Sequence, residues 1–166
     1  MRRARGQYAT TLTLTNSLRV AINKQDNARE APFDAIHAPY KGNDPTAQSM
    51  HLWPGIVLQA AVTERAADYD LKNALRYKVL DVSQETVVVT RINDHGDELD
   101  GTKHSFATAL APSKMRLTSA ITYDSSQGRT IYNGIRLTQT KHRHMTLRRL
   151  IVGLGRAPSG ADVEVE

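Results

Sequence analysis

Leu and Thr alternate through residues 8–15, Tyr-Ala-Thr-Thr-Leu-Thr-Leu-Thr. That period of two predicts a strand. Thr15, Asn16 and Ser17 then supply helix N-cap chemistry. Leu18, Ala21, Ile22 and Gln25 follow at helical spacing, so 17–29 reads as a helix whose polar face carries Arg19, Asn23, Lys24 and Asn27. Pro32, Pro39, Gly42 and Pro45 mark 31–49 as a linker. Beyond it, Ile56–Val62, Arg76–Val82 and Thr86–Ile92 are short strand candidates separated by turn residues. The turn at Asn93–Asp97 leads to a fourth near 102–108, and together they predict a small antiparallel sheet or barrel.

From Met115 the texture changes again. Thr118 or Ser119 caps a predicted short helix holding Ala120, Ile121 and Tyr123, broken at Gly128. Thr130–Thr138 reads as a strand. Thr146–Ala157 reads as a helix, with Leu147, Leu150, Ile151 and Leu154 at i, i+3, i+4 and i+7. Val163 and Val165 alternate with acids over 162–166 like an edge strand. The plan is α/β, then a β insertion, then α/β again.

Composition narrows this further. The 166 residues suit one domain with an insertion. Lys and Arg outnumber Asp and Glu by 22 to 17, which favours polyanionic partners without requiring them. The absence of cysteine rules out disulfides, thiolate zinc sites and thiol catalysis, and fits an intracellular, reducing compartment such as cytoplasm or nucleus. No apolar run reaches membrane-spanning length, and the basic start Met1–Gly6 is followed by no apolar stretch, so neither a membrane partner nor a secretory signal is expected.

Two segments carry chemistry. Ala120-Ile121-Thr122-Tyr123-Asp124-Ser125-Ser126-Gln127-Gly128-Arg129-Thr130 resembles motif V of superfamily 1 DNA helicases, Ala-x-Thr-x-His-Lys-Ser-Gln-Gly-x-Thr. Leu150-Ile151-Val152-Gly153-Leu154-Gly155-Arg156-Ala157 resembles their motif VI, Val-Ala-Leu-Ser-Arg-Ala. The order is right, and the RecD-like and conjugative relaxase-helicase branches are the most similar. Leu12–Asn23 is similar to the strand–helix that opens the second motor lobe, and Trp53-Pro54-Gly55 through Val79 resembles that lobe's SH3-like insertion. The resemblance implies an α/β, RecA-like second lobe of P-loop NTPase type, with a parallel sheet interrupted by a small antiparallel SH3-like β insertion. The lobe would comprise 8–30 and 108–166, the insertion 50–107 and the linker 31–49.

The same resemblance assigns roles. Arg156 takes the part of the arginine finger, a charged fork presented to a γ-phosphate. Gln127 and Gly128 fall on the nucleotide side, while the hydroxyls of Thr122, Ser126 and Thr130 are the expected contacts to a DNA backbone. Packing through Leu147, Ile151 and Leu154 would direct Arg156, and Arg149, seven residues earlier, is a second DNA-binding candidate. Read without the family, Arg156 is also an ordinary helix-terminal cation, and Ser125–Gly128 an ordinary turn. This chain departs from the pattern at Asp124-Ser125, where the family has His-Lys, and at Gly155, where it has Ser.

No Gly-x-x-x-x-Gly-Lys-Ser/Thr occurs, and Asp97-Glu98-Leu99-Asp100 follows a polar turn rather than an apolar strand, so it reads as a hairpin tip. ATP and Mg2+ are therefore expected only together with an N-terminal helicase lobe, in the same or another chain, and no ATPase activity is expected of this chain alone. Single-stranded DNA or RNA is the expected nucleic-acid partner. Two further readings stay open: a non-catalytic single-strand-binding module, and an assembly domain with a helicase-derived fold. Lys141–His144 with Arg148 and Arg149 is either a phosphate contact or a solvated basic stretch. His142 and His144 lack a nearby third metal ligand. Trp53 reads as a hinge or core aromatic, and Arg19 and Asn23 either touch nucleotide or DNA or lie on a solvated helix face.

Overall fold

A computed structural model describes residues 10–132 and 134–166. In chain order these form β1 (Thr10–Thr13), α1 (Asn16–Glu30), β2 (Ile36–Ala38), β3 (Met50–Leu52), β4 (Val57–Ala60), β5 (Glu64–Arg65), β6 (Asp70–Leu71), β7 (Arg76–Val82), β8 (Thr86–Ile92) and β9 (Glu98–Ala107). There follow α2 (Ala111–Lys114), β10 (Met115–Leu117), β11 (Ala120–Thr122), β12 (Ile135–Leu137), α3 (Leu147–Leu154) and β13 (Val163–Val165). The expected start of the first strand at Tyr8 and Ala9, the basic segment Met1–Gly6, and Asn133 of the expected 130–138 strand lie outside the described residues.

The chain divides into two compact units, 1–22 with 119–166, and 23–118. In the first unit, β11, β1, β12 and β13 lie side by side in that order, every pair parallel. Leu12, Ile121, Tyr123, Ile131, Ile135 and Leu137 form its core. The sheet corrects the helix expected over 118–123. Ala120 and Ile121 are both buried, in a strand paired with Thr11 and Leu12. A short apolar run has no periodicity that separates strand from helix.

The second unit carries a five-stranded antiparallel sheet, ordered β10-β4-β7-β8-β9. Leu58, Tyr77, Val79, Val87, Val89, Phe106 and Met115 are among its buried core. The strands expected over 76–82 and 86–92 have those bounds. Two expectations change. Glu98, Leu99 and Asp100 belong to β9, with the hairpin tip confined to Asn93–Asp97. The 31–49 linker contains β2, which pairs with β3 through Ile36–Leu52 and Ala38–Met50.

The polar face of α1 turns inward. Arg19, Asn23 and Asn27 are all buried, contrary to a solvated face. Asn27 explains why a polar residue can sit there: its Nδ2 donates to the His51 carbonyl at 2.9 Å, and its Oδ1 accepts from the His51 amide at 2.7 Å. A side-chain amide carries one donor group and one acceptor, so it completes a strand's backbone bonding as another strand would. Asn23 does likewise with the Leu117 carbonyl, 3.2 Å away.

Candidate functional site

The C-terminal ends of β11, β1 and β12 are neighbours because the strands are parallel and adjacent. The open end of such a sheet is where α/β folds gather ligand-binding loops. Three loops meet the solvent there. One is the β1–α1 turn, another the Asp124–Ser126 turn after β11, and the third the basic segment after β12.

Gln139 ties two of them together. Its side-chain Oε1 accepts from the amides of Leu14 at 2.8 Å and Thr15 at 3.1 Å, and its Nε2 donates to Thr15 Oγ1 at 3.3 Å. Its backbone takes a φ of 56°, a left-handed conformation that costs a non-glycine residue about 1–3 kcal/mol. Nothing in its sequence neighbourhood announces this role, because the bonded partners lie 124 and 125 residues away.

The motif V segment folds as β11 followed by a tight 3-10 turn. Thr122 Oγ1 lies 2.8 Å from Ser125 Oγ and accepts from the Ser125 amide at 3.2 Å. Ser126 is fully buried, and its hydroxyl donates to the Tyr123 carbonyl at 2.7 Å. It therefore holds the turn closed instead of facing a ligand. Gln127 is exposed, and Gly128 follows with a φ of 75°, which its missing Cβ makes inexpensive. Thr130 is half-buried on the segment that returns toward β12.

The motif VI segment is α3. Thr146 caps it by accepting from the Arg149 amide. Its expected apolar seam faces the wrong way for packing: Leu147, Ile151 and Leu154 are 73%, 59% and 45% exposed. The side turned to the sheet is led by Gly153, and Leu150 and Ala157 also pack on the core. The reason is Tyr123. A Cβ on Gly153 would lie 2.7 Å from Tyr123 Cε1 and 3.0 Å from Leu137 Cδ2. The helix approaches the sheet as closely as it does because position 153 is bare. Gly153 and Tyr123 lie 30 residues apart in the sequence, and only the fold brings them together.

Arg156 lies beyond the end of α3, half-buried. Hydrogen bonds direct it, in place of the leucine packing expected. Nε donates to the Val152 carbonyl at 3.0 Å and Nη1 to the Arg129 carbonyl at 3.2 Å. The Arg156 carbonyl in turn accepts from the Ile131 amide at 2.7 Å. The two segments that resemble motifs V and VI are thus joined at this residue.

Arg149 is joined to the other end of the motif V turn. Its Nε and Nη2 point at Asp124 Oδ1 and Oδ2, 3.4 and 3.3 Å away, and its Nη1 donates to the His144 carbonyl at 3.2 Å. So Asp124, which stands where the motif it resembles has histidine, is answered by a cation on α3. A cleft of about 390 Å³ lies between turn and helix, lined by Asp124, Gln127, Thr146, Arg148, Arg149 and Val152. The basic segment beside it carries the rings of His142 and His144, 5.4 Å apart. Among the described residues no group of three His, Cys, Asp or Glu could hold a metal ion, and no helix is long and apolar enough to cross a membrane.

Tyr123 also gives the site a pH limit. Its hydroxyl donates to the Thr138 carbonyl at 2.9 Å, and burial pushes the phenol up to about 12 from 10.0. The neutral phenol is favoured in the fold. Its contribution is therefore complete below pH 10 and lost as pH rises through about 12. Thermal melts of the native chain and of Tyr123→Phe, followed from pH 9 upward, are expected to lose their difference across that interval. A constant offset between the two would contradict the linkage.

No protein-family model matches this sequence, and no curated protein matches it. Its fold is found in solved structures. It is similar to a Pif1 helicase from Bacteroides in complex with ADP-AlF3 and ssDNA, at 15% identity and a TM-score of 0.60, covering 99% of this chain and 41% of that one. It is also similar to the Pif1 helicase of Candida albicans, at 14% identity and a TM-score of 0.62, covering 97% of this chain and 45% of that one. A Bacteroides Pif1 bound to ssDNA matches at 14% identity and 0.59, covering 99% and 42%. The chain thus spans less than half the length of these helicases, and what it shares with them is the mixed α/β fold of parallel and antiparallel sheets.

Proposed function

We propose that this chain is the C-terminal motor lobe of an ATP-dependent superfamily 1 DNA helicase or translocase, with the β unit as its SH3-like insertion. In this reading Arg156 is the arginine finger, Gln127 and Gly128 lie on the nucleotide side, and Thr122, Thr130 and Arg149 face a single strand. The observation that carries it is the union of segments 122–130 and 150–157 through Arg156, whose Nη1 donates to the Arg129 carbonyl and whose carbonyl accepts from the Ile131 amide. Two stretches that resemble motifs V and VI are separate in sequence, and such a union is what a lobe sensing both nucleotide and strand requires. The RecD-like relation belongs to the same proposal.

Nucleotide binding would need a second lobe carrying the phosphate loop and the magnesium-binding acids, in the same polypeptide or another. Bound ATP and Mg2+ would supply the phosphoryl group and its charge. This chain's residues would orient that end through the exposed Gln127–Gly128 turn and neutralise charge through the Nη2 edge of Arg156. The guanidinium's two carbonyl anchors suit that part, because they fix its direction before any ligand arrives.

Two measurements test the reading. The chain alone is expected to hydrolyse no ATP above background, with or without oligo-dT, and Arg156-dependent turnover would refute the need for a second lobe. Fluorescence anisotropy is expected to show weak binding to labelled single strands, with little base preference and a steep decline with salt. Affinity that ignores salt would remove the backbone-tracking surface from the proposal.

A further inference from the structure

We propose that the cleft between the Asp124–Ser126 turn and the start of α3 is a subsite for one backbone phosphate of a single strand, and that Asp124 competes for it from within the chain. The inference rests on the strand-binding reading above and adds the residue that restrains it.

The lining is suited to an anion. Arg148 and Arg149 supply cations, Thr146 and Gln127 neutral polar groups, and Val152 an apolar wall. Arg149 is held in place independently of any ligand, since its Nη1 donates to the His144 carbonyl. Its Nε and Nη2 edge is the one that faces Asp124. The two non-bridging oxygens of a phosphodiester can take the same fork as a carboxylate. Asp124 is therefore the chain's own occupant of a phosphate position.

The occupant is loosely held. The contacts, at 3.3 and 3.4 Å, exceed the 2.7–2.9 Å or so of a strong charge-assisted pair. The Asp124 side chain is 65% exposed and that of Arg149 36%. An exposed pair of this kind adds little to stability, so Asp124 can swing into solvent without disturbing the turn. Ser126, which closes that turn, is bonded to Tyr123 and not to Asp124. Arg148, also on the cleft, has no carboxylate within ion-pair distance among the described residues.

The experiment compares dissociation constants for fluorescein-labelled oligo-dT as a function of salt. Asp124→Asn is expected to tighten binding by about threefold to tenfold. It should also steepen the logarithmic salt dependence by about 0.7, the equivalent of one more phosphate neutralised on a single strand. Asp124→Ser should do the same, and serves if the asparagine variant folds poorly. Asp124→Glu keeps the competitor and should keep the native value. Arg149→Gln should weaken binding, and adding Asp124→Asn to it should bring no gain.

Unchanged or weaker binding by a folded Asp124→Asn chain overturns the inference while leaving the strand-binding reading intact. So does a gain that persists in full without Arg149, which would be a bulk charge effect. If no variant binds oligonucleotide, the strand-binding reading fails, and the Arg149 Nε–H resonance under pyrophosphate titration decides the subsite by itself. Movement that is larger in Asp124→Asn keeps an anion site there, and no movement removes it.

Discussion

On the proposed reading, Arg156→Ala reduces strand-stimulated ATP hydrolysis by about 10³-fold or more in a motor that joins this chain to an ATP-holding lobe, while affinity for oligo-dT changes by no more than a few-fold. The magnitude is that of removing an arginine finger from a phosphoryl-transfer site, about 4 kcal/mol of transition-state stabilisation. Arg156→Lys should not restore the rate. Lysine carries the charge but cannot hold the Val152 and Arg129 carbonyls through two nitrogens and offer a third to phosphate. The structural alternative has a different signature. Losing two hydrogen bonds from a half-buried guanidinium costs roughly 1.5–3 kcal/mol each at most, and that loss appears in the melting temperature. If the alanine variant melts early and its rate falls only in proportion to the unfolded fraction, Arg156 merely joins two loops and is no finger.

Tyr123→Ala is expected to have the largest effect on stability, about 3–5 kcal/mol by analogy with other large aromatic deletions, read as the loss of the first unit's cooperative melt. The side chain is 1% exposed, fills the space beneath α3, and satisfies the Thr138 carbonyl. Its partner in that space is Gly153. Gly153→Ala should gain up to about 1 kcal/mol of helix propensity and lose about 1–3 kcal/mol to overpacking. The loss is expected to win, because the Tyr123 ring is anchored at its hydroxyl and cannot slide away. The pair is best measured as a double-mutant cycle with Tyr123→Leu, which makes room for the new methyl. Additive effects would show that ring and helix are not in the contact described. Because Arg156 lies two residues beyond this helix, a shift of α3 at Gly153 should also lower the hydrolysis rate of the two-lobed motor proposed above.

Much of the architecture was legible in the chain. The strand bounds at 76–82 and 86–92 and the helices near 17–29 and 146–157 follow from periodicity and turn chemistry. These are local properties, fixed by which side chains repeat along one face. The two segments proposed to carry chemistry stand out in the sequence because their residue types resemble a family's pattern in the right order. What failed was direction. The helix expected over 118–123 is a strand, because both its faces are covered and the pattern has no period to show. The apolar seam of α3 suggested that Leu147, Ile151 and Leu154 point inward, yet they are the exposed residues of that helix. The polar residues of α1 looked solvated and are buried against backbone that only the fold brings near.

The candidate site divides the same way. The sequence by itself determined that an arginine closes a short helix, that Gly128 breaks the element before it, and that an acid stands where the resembling pattern has histidine. Only the tertiary structure decided what each of these faces. It set Asp124 against Arg149 across a separation of 25 residues, tied Arg156 to the Arg129 carbonyl across 27, and lodged Gln139 between Leu14 and Thr15 across more than a hundred. The physical reason is that periodicity reports whether a side chain prefers cover, whereas hydrogen bonds and ion pairs depend on distances of about 3 Å between groups the chain keeps apart until the sheet assembles.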